Sequence, residues 1–357
     1  MKPFCEVLRS FLALALALGG CTPTAGERQA TPPEGAPVRS ELARPTGAGL
    51  ASASPSVAVP SGASPSGASA SSASSVASPS VASPSDARPE QSPARSCGAL
   101  GCRRFESAAA AFDAVLAESP RVLGIGEAHA QKGSAEVASS TKRFMDDLLP
   151  RLAGKASDLV IELWVSAGNC GAAEKKVAEQ QRPVVEAQAA TNQSEFVELG
   201  HRAKALGIEP HALVPTCDEY RAIANAGPND IDRMLELIAR ATARQVESLL
   251  ERRSQSATAA TPLIVAYGGA LHNDLTPRAG RERWSFGPRL SEATRGAYVE
   301  LDLIVPEFVK DTETWRALPW FSAYRALNAA SDVVLYSPTK RSFTLIFAKT
   351  PVPNRAP

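Results

Sequence analysis

From residue 122 onward the chain repeats one arrangement, a short run of aliphatic residues followed by a longer stretch at helical spacing. Residues 122–125, 159–161, 208–214 and 263–266 are the aliphatic runs. Helical patterns fill 106–116, 134–152, 172–190 and 194–206, and Pro228-Asn229-Asp230 opens a further long one. Apolar residues mark the inward sides: Phe112, Val115 and Leu116 in the first helix, and Phe144, Leu148, Leu149 and Leu152 in the second. Met234, Leu235, Ile238, Val246, Leu249 and Leu250 mark the inward side of the long helix, whose acidic first turn suits the helix dipole. Strands that are apolar throughout are buried on both faces, and helices between them allow the crossovers that parallel pairing requires. The pattern therefore predicts an α/β domain, a mainly parallel sheet with helices on both faces. Past residue 297 the character changes. Residues 298–305 alternate, and 333–336 and 343–347 read as strands with little helix between them. They are expected to extend the sheet at its C-terminal end as antiparallel additions.

Only part of the 357-residue chain has the composition to build such a core. Lys2 and Arg9 precede an apolar stretch at 11–18, which is too short to span a bilayer and reads as an export signal. Residues 22–95 are dominated by Ala, Ser and Pro, lack aromatic side chains and carry few large aliphatic ones. Such a segment buries too little apolar surface to offset its ordering entropy. It is expected to be a disordered tether, with a reach of about 50 Å for roughly 70 residues of coil. The expected division is residues 1–20 signal, 21–95 tether and 96–357 folded domain. A formal net charge of +1 argues against a nucleic-acid partner. Cys97, Cys102, Cys170 and Cys217 fall in the folded part. Four cysteines allow three pairings. A local Cys97–Cys102 loop leaves Cys170 with Cys217, and no Cys-x-x-Cys knuckle suggests zinc.

Two copies of Gly-x-x-His stand where aliphatic runs end: Gly126-Glu127-Ala128-His129 and Gly269-Ala270-Leu271-His272. The chain has four histidines, so half of them sit at strand ends. Glu162 closes the 159–161 run in the same way. Open α/β sheets bind ligands beyond the carboxyl ends of their strands. Glu127, His129, Glu162 and His272 are thus expected to share one rim, with Gly126, Gly268 and Gly269 allowing tight turns and close backbone approach there. Two imidazoles and two carboxylates suit a divalent metal with an open position. They equally suit a histidine base oriented by a glutamate. His211 is expected to be a packed strand residue, His201 a surface residue, and Lys142 and Arg143 solvated charges.

Two resemblances add to this reading. Leu18-Gly19-Gly20-Cys21 resembles a bacterial lipobox, which implies cleavage before Cys21 and acylation of that residue. Several acyl chains anchor stably. Thr22, in place of Asp, then implies the outer membrane. Over roughly residues 105–350, Gly-Glu-x-His, the strand-end Glu162 and the late Gly-x-x-His resemble the superfamily of erythromycin esterases, haem-binding ChaN lipoproteins and TIKI/TraB proteases. The resemblance marks Glu127, His129, Glu162 and His272 as the polar centre. The esterases have one more residue between Glu and His, and their following Arg has no counterpart at Ala138. The shorter form and the lipobox favour the ChaN side. The first expectation is a lipid-anchored envelope hydrolase of a peptide, ester or amide. In it, Mn, Co or Zn is held by His129, His272, Glu127 and Glu162. The second is a lipoprotein that binds haem or another iron ligand through a rim residue such as Tyr267 or Tyr220, without catalysis.

Overall fold

In the computed structural model, residues 94–351 are described apart from 135, 167, 256–261 and 328–331. The signal, the Cys21 lipobox and the tether up to residue 93 lie outside the described residues, and Arg95, expected as the last tether residue, already belongs to the sheet. Among the described residues nine strands form one sheet: β1 (Arg95–Ser96), β2 (Cys102–Phe105), β3 (Val122–Glu127), β4 (Ala156–Trp164), β5 (Glu209–Leu213), β6 (Leu263–Gly269), β7 (Tyr298–Ile304), β8 (Val333–Thr339) and β9 (Ser342–Ile346). Their order is β1-β2-β8-β9-β7-β3-β6-β4-β5. The pairs from β9 through β7, β3, β6 and β4 to β5 are all parallel. β8 runs antiparallel to β9 and to β2. The fold is therefore the mainly parallel α/β sheet that the pattern predicts. The C-terminal strands divide: β8 is antiparallel as expected, while β9 joins β7 in parallel. The polar, partly exposed pair β1 and β2 at the sheet edge has no counterpart among the expected strands.

Helices cover both faces. On one, α1 (Ala108–Leu116), the turns over 140–152 that begin with α2 (Ser140–Arg143), and α4 (Asn192–Ala205) pack on Leu123, Ile125, Leu159, Val265 and Leu301. Phe112, Phe144, Leu148, Leu149 and Leu152 are buried there, as their spacing predicts. Ser139 caps α2 by accepting the Lys142 N–H at 2.9 Å, so regular helix starts at 140 rather than 134. On the other face, α3 (Ala172–Ala187), α5 (Cys217–Ala224), α6 (Asp230–Ser254) and α7 (Gly287–Ala293) cover Val122, Val160, Ile264 and Ala266. The buried side of α6 includes Leu237, whereas Leu235 is only half-buried. Two short helices, α8 (Glu313–Arg316) and α9 (Phe321–Leu327), bring Trp315 and Phe321 against Ile304, Val334 and Ile346. No helix among the described residues is long and apolar enough to cross a membrane.

Cys97 is bonded to Cys102 and Cys170 to Cys217, the pairing left by the local-loop reading. Beside the second bond, Thr216 and Glu219 make a reciprocal capping box at the start of α5. Thr216→Ala removes the side-chain acceptor of that box. It is expected to lower stability by about 1 kcal/mol, read as a fall in Tm of about 2–4 °C.

Candidate functional site at the carboxyl rim of the sheet

Side chains alternate along a strand, so β3 presents Leu123, Ile125 and Glu127 to one layer of helices and Gly124 and Gly126 to the other. Glu127 therefore ends up buried, 3% exposed, although its side chain is a carboxyl. Its environment accounts for that. Glu127 Oε2 accepts the hydroxyls of Thr141 at 2.6 Å and Tyr267 at 2.8 Å. Glu127 Oε1 lies 2.8 Å from His129 Nδ1. A buried carboxylate needs such partners. Burial, and after it the charge of Glu127, push the Tyr267 phenol well above its usual range, so it stays protonated and remains a donor. The Phe196 ring stands 5.9 Å from the His129 ring and 5.9 Å from that of Tyr267, and walls the pair on its apolar side.

His129 follows the strand and keeps 19% of its side chain exposed. Burial is the largest single influence on its pKa and lowers it. The hydrogen bond to Glu127, then the charges of Glu127 and Glu162, outweigh burial, so the net value lies above the ordinary 6.5. With Nδ1 committed to Glu127, Nε2 is the atom left to meet a ligand.

The second half of the site arrives from the opposite face. Glu162 lies within β4 rather than beyond it, because that strand continues to Trp164. Its Oε2 accepts the Gly269 N–H at 2.6 Å and its Oε1 stands 3.8 Å from His272 Nε2. His272 is 3% exposed, and its Nδ1 lies 2.7 Å from the Trp284 carbonyl oxygen. A carbonyl only accepts, so Nδ1 carries a proton toward it, and Nε2 is the ring nitrogen on the Glu162 side. The glycines serve close approach rather than turning, since none of Gly126, Gly268 and Gly269 has a positive φ. A Cβ at Gly268 would collide with the Glu162 side chain. One at Gly269 would stand 3.1 Å from His129 Nε2 and 3.6 Å from Glu162 Oε2. The His129–Glu127 pair and the Glu162–His272 pair therefore meet over Gly269.

Among the described residues, no three of Glu127, His129, Glu162 and His272 bring donor atoms within 4.8 Å of one another. Glu127 already accepts two hydroxyls and holds the His129 ring. It orients a histidine and is not turned outward as a ligand. Tyr267 is 2% exposed and its hydroxyl is taken by Glu127, while Tyr220 is 5% exposed in the core beneath α5. His211 pairs with Asp158 near the beginning of β4, away from the rim, and His201 is exposed on α4. Lys142 bonds Asp146, and Arg143 holds the Ala348 carbonyl at 2.8 Å and the Glu307 carboxylate, so its charge ties down the C-terminal segment. Thr141 and the Trp284 carbonyl were not among the expected residues. Neither carries a sequence signal beyond a hydroxyl in an early helical turn and a backbone atom that only the folded loop brings near.

No family model matches the chain, and no curated protein matches it. Among solved structures the chain is similar to the type III effector HopBA1, with 9% identity and a TM-score of 0.34 over 71% of this chain and 100% of that one. A likeness at that level carries no argument about fold or activity.

Proposed function

We propose that this chain is a lipid-anchored hydrolase of an ester, amide or peptide in which His129 is the general base. The observation that carries the reading is the buried relay from Thr141 and Tyr267 through Glu127 to His129 Nδ1. Such a relay fixes one tautomer and steadies the imidazolium that forms when Nε2 takes a proton. A water beside Nε2 gives up that proton as its oxygen adds to the carbonyl carbon. The C–O or C–N bond then breaks, and the leaving group takes a proton. His272, held by the Trp284 carbonyl and faced by Glu162, stands on the other side of Gly269. It is the second group able to hold or pass a proton at the reacting atoms. Val165 and Val214, 44% and 55% exposed just beyond β4 and β5, give that rim an apolar edge for the substrate.

The resemblance to the esterase, ChaN and TIKI superfamily supports the same four residues. The lipobox at Cys21 supports an envelope location with the membrane as a partner beside a small-molecule or peptide ligand. The geometry favours histidine base catalysis over the metal-assisted form, and no observation of the site favours haem.

The test is a panel of nitrophenyl esters, aryl amides and unstructured peptides, run with the full chain and with His129→Ala. Turnover that is lost in the variant, while its unfolding stays cooperative, supports the reading. Turnover equal in both proteins, or absent across the panel, sinks it.

A further inference from the structure

The two rim histidines are oriented in different ways. His129 is held by a side chain two residues away, Glu127, whose carboxylate stands beside Nδ1. His272 is held by a backbone oxygen, the Trp284 carbonyl, twelve residues on and 2.7 Å from Nδ1. In a neutral imidazole one nitrogen carries the proton and the other accepts. Glu162 Oε1, 3.8 Å from His272 Nε2, draws the proton to that side, and the Trp284 carbonyl draws it to Nδ1. The shorter contact is the one to Nδ1. The position of one carbonyl therefore decides which nitrogen of His272 is left to accept at the rim.

A backbone oxygen is only as well placed as its segment. Residues Glu282–Trp284 make a single 3-10 turn, in which Glu282 and Arg283 are exposed. The residues after the turn are fixed from within. The Phe286 N–H donates to the His272 carbonyl at 2.8 Å, and Ser285 Oγ donates to the Asp274 carbonyl at 2.6 Å. Gly287 approaches so closely that a Cβ there would collide with the Asp274 carbonyl oxygen. The turn itself is reached from outside. Trp284 Nε1 donates to Asp232 Oδ1 at 2.7 Å, at the short end for an N–H···O bond. Asp232 stands in the first turn of α6, whose Met234, Leu237 and Ile238 are buried against the sheet. The indole bond thus ties a solvent-facing turn to a helix anchored in the core. Asp232 also meets Arg283 Nη2, but at 3.4 Å and with a guanidinium 59% exposed, a pair that contributes little.

We propose that Asp232 is a positioning residue of the rim, acting on His272 through both ends of Trp284. It does not touch the substrate. It holds the indole, the indole sets the turn, and the carbonyl of the same residue sets the imidazole. The assignment rests on the role of His272 in the proposed hydrolysis, while the contacts that carry it exist without turnover. A first-turn acid also complements the helix dipole. That service needs a charge, whereas the indole needs only an accepting oxygen. Asparagine keeps the oxygen and loses the charge, so it separates the two.

The test uses the full chain labelled with heavy nitrogen and read by NMR, with the His272 imidazole identified by its loss in His272→Ala. In the wild type Nδ1 should carry a proton that exchanges slowly with solvent. In Asp232→Ala that proton should exchange about ten- to a hundredfold faster. On a substrate that turns over, kcat should fall by about the same factor with KM little changed. Trp284→Phe deletes Nε1 and keeps the carbonyl, so it should match Asp232→Ala, and it decides the matter if Asp232→Ala does not fold. The double variant should be no worse than either, because both act through one bond. Asp232→Asn and Arg283→Ala should behave as the wild type. An Nδ1 proton unchanged in both Asp232→Ala and Trp284→Phe overturns the proposal. So does an Asp232→Asn protein as defective as Asp232→Ala, a double variant whose losses add, or a freed Nδ1 proton with kcat intact. Failure of the hydrolase reading shows separately, as no turnover by the wild type, and the imidazole spectra then decide the positioning role alone.

Discussion

Glu127→Gln lowers hydrolysis by about 10²- to 10⁴-fold and leaves a folded domain whose pH–rate limb has moved to lower pH. The carboxylate accepts three contacts, from Thr141, Tyr267 and His129. A glutamine has one accepting oxygen. If its NH₂ faces His129, Nδ1 must accept, the proton moves to Nε2, and the base is lost. If its NH₂ faces the hydroxyls instead, Thr141 and Tyr267 must turn their protons elsewhere in a buried space. Leaving such a group unpaired costs about 1–3 kcal/mol, a tolerable loss for most domains. The pH response separates this role from a merely structural one. A base must be neutral to act, so the rate falls as pH drops through the raised His129 value. In the variant the influence of burial persists while both contributions of Glu127 vanish, so the limb shifts downward. In stability the sign is opposite. The wild-type pair contributes most below pH 6.5, and that contribution is lost as pH rises through the folded value. His129→Ala should match the loss of rate, and the double variant should be little worse, because the two residues act as a unit. A Glu127→Gln protein with the wild-type rate and the wild-type limb would remove the base from the mechanism.

The parts of this molecule that could be read from sequence are those set by a one-dimensional pattern. Parallel strands buried on both faces are continuous aliphatic runs, so β3, β4, β5 and β6 stand out. Their carboxyl ends did not, because there the strands carry Glu127, Glu162 and Gly269, whose polarity or size serves the site rather than the core. β1 and β2 escaped because an edge hairpin bearing Arg103 and Arg104 has no apolar run to announce it. Glu127 and His129 could be matched because they are two residues apart. Which face each residue approaches from could not, since that depends on strand register. Tyr267 shows the difference. As a residue beyond an expected strand end it looked available to a cofactor, but β6 continues past it and alternation turns it inward onto Glu127. Asp232 reads in sequence only as an acid in the first turn of a helix. Its contact with Trp284, 52 residues on, exists only because the folded turn brings the indole to α6.

Gly124→Ala should destabilise the domain by about 3 kcal/mol, a fall in Tm of about 6–12 °C, although it adds one methyl to a central strand. Backbone conformation is not the reason, since Gly124 has no positive φ and alanine normally suits an element interior better than glycine. The reason is Tyr298, which pairs across from β3 with its ring fully buried. The new Cβ would overlap the Tyr298 hydroxyl and stand 2.8 Å from Cζ and 3.1 Å from Cε2. The ring cannot retreat without losing the 2.6 Å hydrogen bond to the Asn273 carbonyl, which leaves a buried hydroxyl unpaired. A double-mutant cycle separates the clash from a general loss of packing. In a Tyr298→Phe background the hydroxyl is gone, so Gly124→Ala should cost less by about 1 kcal/mol or more. Gly200 is the internal control. A Cβ there meets Ile161 Cδ1 at 3.5 Å and Pro210 Cβ at 3.6 Å, ordinary contacts within helix α4. Gly200→Ala should therefore raise stability by about 0.5–1 kcal/mol. Equal costs for Gly124→Ala in the Tyr298 and Phe backgrounds, measured by denaturant unfolding, would mean that the tyrosine hydroxyl is not what holds this position to glycine.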